Sequence, residues 1–141
     1  MGLVYADLEL VSADDKALVR KGFIEKKDLK KEQVRALVDT GAYMMCINEH
    51  IQAQLDLPFV RNTEAELANG KIEAVKVVGP LIVNFENRTT SCNAIVMPGE
   101  SEVLLGSIPM EDLDVVINPL KQTIEVNPHS PYMGKTIVKR I

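Results

Sequence analysis

The segment Ala36-Leu37-Val38-Asp39-Thr40-Gly41-Ala42 sets a carboxylate inside an apolar run. A strand-forming stretch delivers one acid, one hydroxyl and one glycine into a tight turn. Burying a charge is costly unless it is paired or used. Any fold for this chain must therefore end a strand at Asp39 and give that carboxylate either a partner or a task.

The rest of the chain supplies many short strands around this turn. Its 141 residues suit one domain, 46% are hydrophobic and 26% charged, and only 4% are aromatic with no Trp. Such a chain builds its core from Val, Ile and Leu, which favour strands. Leu3 to Val11 reads as a strand closed by the turn Ser12-Ala13-Asp14-Asp15, and Lys16 to Ile24 reads as its partner strand or a short helix. The charged stretch Glu25 to Glu32 is a solvated loop, and Gln33 to Asp39 returns as a strand. Tyr43 to Ile47 is apolar enough to be buried. Asn48 then suits an N-cap for a helix over Glu49 to Leu55, stopped at Leu57-Pro58.

Thr63 to Ala68 and Lys71 to Val78 flank Asn69-Gly70, a strong hairpin signal that predicts a type I′ turn with positive φ at both central residues. Gly79-Pro80 punctuates, and strands follow over Leu81 to Phe85, Thr90 to Met97 and Glu102 to Leu105. Ser107 can cap a brief helix running to about Leu113. Val115 to Ile117 and Gln122 to Val126 pair across Asn118-Pro119-Leu120-Lys121. The organisation is mostly β with one or two short helices, and no linker divides it. The core spans about 33–126, the N-terminal strands 3–24 and the C-terminal tail 128–141. The apolar strand ending in glycine occurs twice, as Leu37 to Gly41 and as Val103-Leu104-Leu105-Gly106, and only the first copy carries an acid.

Several function classes lose support on composition. A net charge of -4 disfavours nucleic acid as a main partner. No apolar run approaches the roughly 20 residues that span a bilayer, and the N-terminus lacks a basic-then-apolar leader. Met1-Gly2 resembles a myristoylation start, but Ala6 stands where Ser or Thr is expected. A cytoplasmic protein without membrane contact is the expectation. Cys46 and Cys92 read as buried thiols, and with His50 and His129 they match no metal-ligand spacing. No metal or organic cofactor is implied. The pairs Asp14-Asp15 and Asp112-Asp114 read as turn and helix-surface acids.

Asp39-Thr40-Gly41-Ala42 after an apolar strand, a downstream Asn-Gly hairpin, and Leu104-Leu105-Gly106 before a short helix together resemble the retropepsins, the single-domain, retroviral-type aspartic proteases. The resemblance covers roughly Gln33 to Val126. It implies a closed-barrel-like acid protease fold in which a flap hairpin, Leu67-Ala68-Asn69-Gly70-Lys71, closes over an extended peptide. It also implies that Asp39, Thr40 and Gly41 are catalytic, with Ala42, Leu105 and Gly106 shaping the cleft and Thr40 bonding across the subunit boundary. The flap tip is more polar than in retroviral enzymes, which carry several glycines there.

One acid per chain cannot form a pair of carboxylates, so an active enzyme would be a homodimer with one Asp39 from each subunit. Two rivals stay open: a peptide-binding or dimerisation module with little turnover, and an unrelated β-barrel in which Asp-Thr-Gly is only a turn.

Overall fold

The computed structural model describes residues 2–138. Met1 and the last three residues of the basic tail lie outside that range. The elements in order are β1 (Tyr5–Ser12), α1 (Ala13–Arg20), a 3-10 turn at Lys26–Asp28, β2 (Lys31–Val38), β3 (Met45–Asn48), α2 (Glu49–Leu55), β4 (Phe59–Glu66), β5 (Ile72–Phe85), β6 (Arg88–Met97), β7 (Leu104–Leu105), α3 (Ser107–Leu113), β8 (Val115–Asn118) and β9 (Thr123–Val126).

The strands form one nine-stranded sheet in the order β4-β5-β6-β3-β7-β2-β1-β9-β8, and an extra pairing of β5 with β1 closes its middle into a barrel. Alternation fills that barrel. Ala6, Leu8 and Leu10 of β1 point inward between Asp7 and Glu9, and they meet Ala36, Met45, Ile47, Leu81, Val83, Ala94 and Leu105 in one core. Each fully buried Leu or Ile contributes about 1.5–3 kcal/mol over an exposed one. The mostly-β, retropepsin-like architecture expected from the sequence is therefore present.

The N-terminal region departs from the expectation of paired strands. Ala13–Arg20 is a helix, so the described residues hold three α-helices rather than one or two. Ser12, expected in a turn, is its N-cap, with its hydroxyl accepting from the Asp15 amide at 3.2 Å. The acids Asp14 and Asp15 in the first turn complement the helix dipole. Asp15 is buried, 5% exposed, and far from a solvated turn acid. Its carboxylate accepts from the Lys30 amide at 2.9 Å and pairs with the Lys30 ammonium at 2.9 Å, fastening α1 to the start of β2. Burial pushes its pKa up, but these Lys30 contacts outweigh that and hold it below the usual carboxylate value.

Other boundaries differ locally. β5 runs straight through Gly79-Pro80, and the break expected there is only a register shift between Val78 and Leu81. Tyr43 and Met44 precede β3 as loop, and Tyr43 is exposed. The first residue of α3 is Ser107 and its N-cap is Gly106. In α2 the expected cap is present: the Asn48 side chain accepts from the Ile51 amide at 2.8 Å.

Asp114, expected on a helix surface, instead organises the C-terminal segment. Its carboxylate accepts from the Asn127 side chain at 3.0 Å, the Lys135 amide at 2.9 Å and the Ser130 hydroxyl. The buried Arg88 guanidinium lies 3.8 Å from it and donates to the carbonyls of Asp114 and Ser130. Hydrogen bonds from Ser130, Asn127 and the Lys135 amide, with Arg88 beside them, pull the Asp114 pKa down to about 2. The stretch from Asn127 to Lys135 is thus strapped onto its own chain.

Candidate active site

β2 carries the chain outward to Asp39, and β7 runs parallel beside it with Leu37 opposite Leu104 and Val38 opposite Leu105. The two sequence echoes are therefore neighbouring strands. The Leu37 amide donates to the Val103 carbonyl at 2.8 Å, and the Asp39 amide to the Leu105 carbonyl at 3.0 Å. Beyond Asp39 the chain folds into a tight turn. The Gly41 amide donates to Asp39 Oδ1 at 2.9 Å, and the Ala42 amide donates to the Asp39 carbonyl at 3.2 Å.

The second echo braces this turn from below. The Ser107 amide donates to the Ala42 carbonyl at 2.8 Å, and the Ile108 amide to the Tyr43 carbonyl at 3.0 Å. Such close passage requires glycine at 106, where an added Cβ would sit 2.2 Å from the Met44 carbonyl oxygen. Asp39 is half-buried, and Thr40 and Gly41 are exposed.

Asp39 and Gly41 open onto a groove of about 720 Å³ between the turn and the β4–β5 hairpin. Ala42, Leu67 and Ala68 line it. Leu105 is fully buried in the core, and the neighbouring Leu104 faces the groove in its place. Gly106 lies under the turn. Asn69, Gly70 and Lys71 form the hairpin tip and do not line the groove of the single chain. Sequence reading missed Cys46 and Ile95, which are paired across β3 and β6, and Met97 and Thr63, all of which line it. Their strands were legible in the sequence, but which strand faces Asp39 depends on the barrel's closure.

The hairpin closes differently from the type I′ turn expected. Only Gly70 has positive φ, at 83°. The Gly70 amide donates to the Leu67 carbonyl at 2.9 Å and the Leu67 amide to the Lys71 carbonyl at 2.8 Å, leaving a three-residue loop. This is a type I-like turn followed by a left-handed glycine, the next commonest hairpin closure.

Of the two thiols, Cys46 lines the groove and Cys92, on β6, does not. Burial, and then the charge of Asp39, push Cys46 up to about 11; burial and Asp112 do the same to Cys92. Among the described residues no group of three or more His, Cys, Asp or Glu is placed to hold a metal ion, and no helix is long and apolar enough to cross a membrane.

Residues 28–123, more than half of the chain, match the family described as gag-polyprotein putative aspartyl protease. The chain belongs to this retropepsin-like aspartyl protease family. The matched span runs from before β2 to the first residue of β9, and so contains the Asp39 turn, the hairpin and the bracing echo of this aspartyl protease-family chain. No curated protein matches the chain.

Proposed function

We propose that the chain is one subunit of a homodimeric aspartic endopeptidase. The observation that carries this reading is the lone Asp39, fixed in a braced turn at the lip of a groove that a hairpin overhangs. Around it lies exposed apolar surface: Tyr43 is 77% exposed and its hydrogen-bonded neighbour Ile108 is 57% exposed. A second copy laid over this face would cover both side chains and bring a second Asp39 to the first.

Two carboxylates held together resist ionising together, so one keeps a proton. The ionised Asp39 takes a proton from a water held between the pair, and that water's oxygen attacks the scissile carbonyl carbon. The protonated Asp39 of the other subunit donates to the carbonyl oxygen, giving a tetrahedral intermediate. The first Asp39 then returns its proton to the leaving nitrogen while the second takes one from a hydroxyl of the intermediate, so the carbonyl re-forms, the C–N bond breaks and the pair is restored. Thr40, exposed at the turn, braces the pair across the boundary. The hairpin 67–71 closes over substrate, which lies extended along the groove with apolar side chains against Met97, Ile95 and Leu104.

The test is cleavage of a broad peptide library by the purified protein and its Asp39→Asn variant. The reading expects loss of cleavage with the dimer intact. Cleavage that survives the substitution would overturn the mechanism.

A further inference from the structure

Charge is unevenly spread along this chain. Residues 14–31 hold seven Lys or Arg against four acids, a net +3 in a chain of net -4, so the remainder carries -7. This basic segment is α1, the 3-10 turn and the loops that join β1 to β2. Two of its acids are matched within it, Asp15 by Lys30 and Glu25 by Lys27. Of the other two, Asp14 lies in the first turn of α1, and the Asp28 carboxylate accepts from the Glu25 amide at 3.2 Å. Lys16, Arg20, Lys21, Lys26 and Lys31 are exposed, and none has an ion pair among the described residues.

An apolar pair stands among these cations. At the end of α1 the Phe23 amide donates to the Leu18 carbonyl at 2.9 Å and the Gly22 amide to the Val19 carbonyl at 3.1 Å, with Gly22 left-handed at φ 82°. This closure turns the residue after the glycine back toward the last helical turn. Phe23 nevertheless stays 75% exposed and Leu18 37% exposed. Arg20 and Lys21 precede the turn and Lys26 follows it. The tip is open, since an added Cβ at Gly22 would meet no atom within 4 Å. An extended peptide needs a groove or a free strand edge. An open tip that carries an aromatic ring with cations beside it suits a plane of anionic headgroups instead.

We propose that this segment docks the protein on an anionic lipid surface, with Phe23 and Leu18 entering the headgroup region and Arg20, Lys21 and Lys26 meeting the lipid charge. Docking in the interface needs no spanning segment. The net charge of -4 averages over the two regions and hides the patch, so the expectation of no membrane contact is set aside. The placement leaves the Asp39 groove free. β1 and β2 pair from Val11 and Lys31, beside the segment, to Tyr5 and Leu37, beside the Asp39 turn. The eight residues of β2, at about 3.3 Å each, separate the two ends by about 25 Å. A docked chain therefore keeps its groove in solution. The proposal stands apart from the protease reading, and its test needs no cleavage.

The experiment is cosedimentation of the full chain with vesicles of phosphatidylcholine alone and of phosphatidylcholine with phosphatidylserine, with circular dichroism to verify that each variant folds. Wild type is expected to bind the vesicles that contain phosphatidylserine and to leave the neutral ones, and added salt should release it. Phe23→Ser should weaken partitioning about tenfold. Arg20→Gln combined with Lys21→Gln should weaken it about twentyfold, from about fivefold per charge. Absent binding, equal binding to both vesicles, or folded variants that bind as wild type does would overturn the proposal. Capture of an added polyglutamate peptide without vesicle binding would overturn it in favour of an acidic protein partner.

Discussion

Replacing Gly106 by Ala tests how the two echoes hold the Asp39 turn. The new methyl would lie 2.2 Å from the Met44 carbonyl oxygen and 2.7 Å from the Tyr43 carbonyl carbon and oxygen. Ordinary contact begins near 3.4 Å, so backbone must move by about 1 Å, and no flexible side chain can yield instead. Overpacking of this kind costs about 1–3 kcal/mol. The movement also stretches the bonds from Ser107 to Ala42 and from Ile108 to Tyr43, each worth about 0.5–1.5 kcal/mol. The expected loss is about 2–4 kcal/mol in urea denaturation at unchanged m-value. Cleavage should fall further than the unfolded fraction explains, because the Asp39 turn is displaced. A variant within about 0.5 kcal/mol of wild type, with full activity, would refute the bracing argument.

Two further predictions concern ionisation. Asp114 titrates at about 2 in the folded chain against an ordinary 3.8, so its contribution is complete above about pH 4 and is lost as pH falls through 2. With its side chain 14% exposed, that contribution is about 1–2 kcal/mol after solvent screening, and Asp114→Asn should flatten the acid limb of the stability profile. An acid limb of the same depth in the variant would contradict the assignment. Cys46 and Cys92, pushed up to about 11, should resist iodoacetamide at pH 8 in the folded protein and react rapidly in denaturant. Rapid native alkylation of Cys46 would show that the groove wall opens.

The central pattern was legible in the sequence because it depends on short-range chemistry. The Asp39 turn, the Asn48-capped helix, the hairpin about Asn69-Gly70 and the β8–β9 pair all follow from neighbours in the chain. The first helix was obscured because Ala17-Leu18-Val19 is too short a run to declare a period, while its true signal was the cap from Ser12 to Asp15. Asp15 and Asp114 looked like surface acids because their partners, Lys30 and Arg88, lie 15 and 26 residues away. The inward turn of Leu104 rather than Leu105 toward the groove could not be read locally. It is set by the parallel pairing of β7 with β2.

The claim that one site takes an Asp39 from each of two chains is tested most directly by mixing. Wild type is exchanged with Asp39→Asn at fixed total concentration, and initial cleavage rates are measured against the wild-type fraction. If both carboxylates are required, only pure wild-type dimers cleave and activity follows the square of that fraction, about one quarter at an equal mixture. Activity proportional to the wild-type fraction, about one half at an equal mixture, would mean that a single Asp39 suffices and would contradict the shared site.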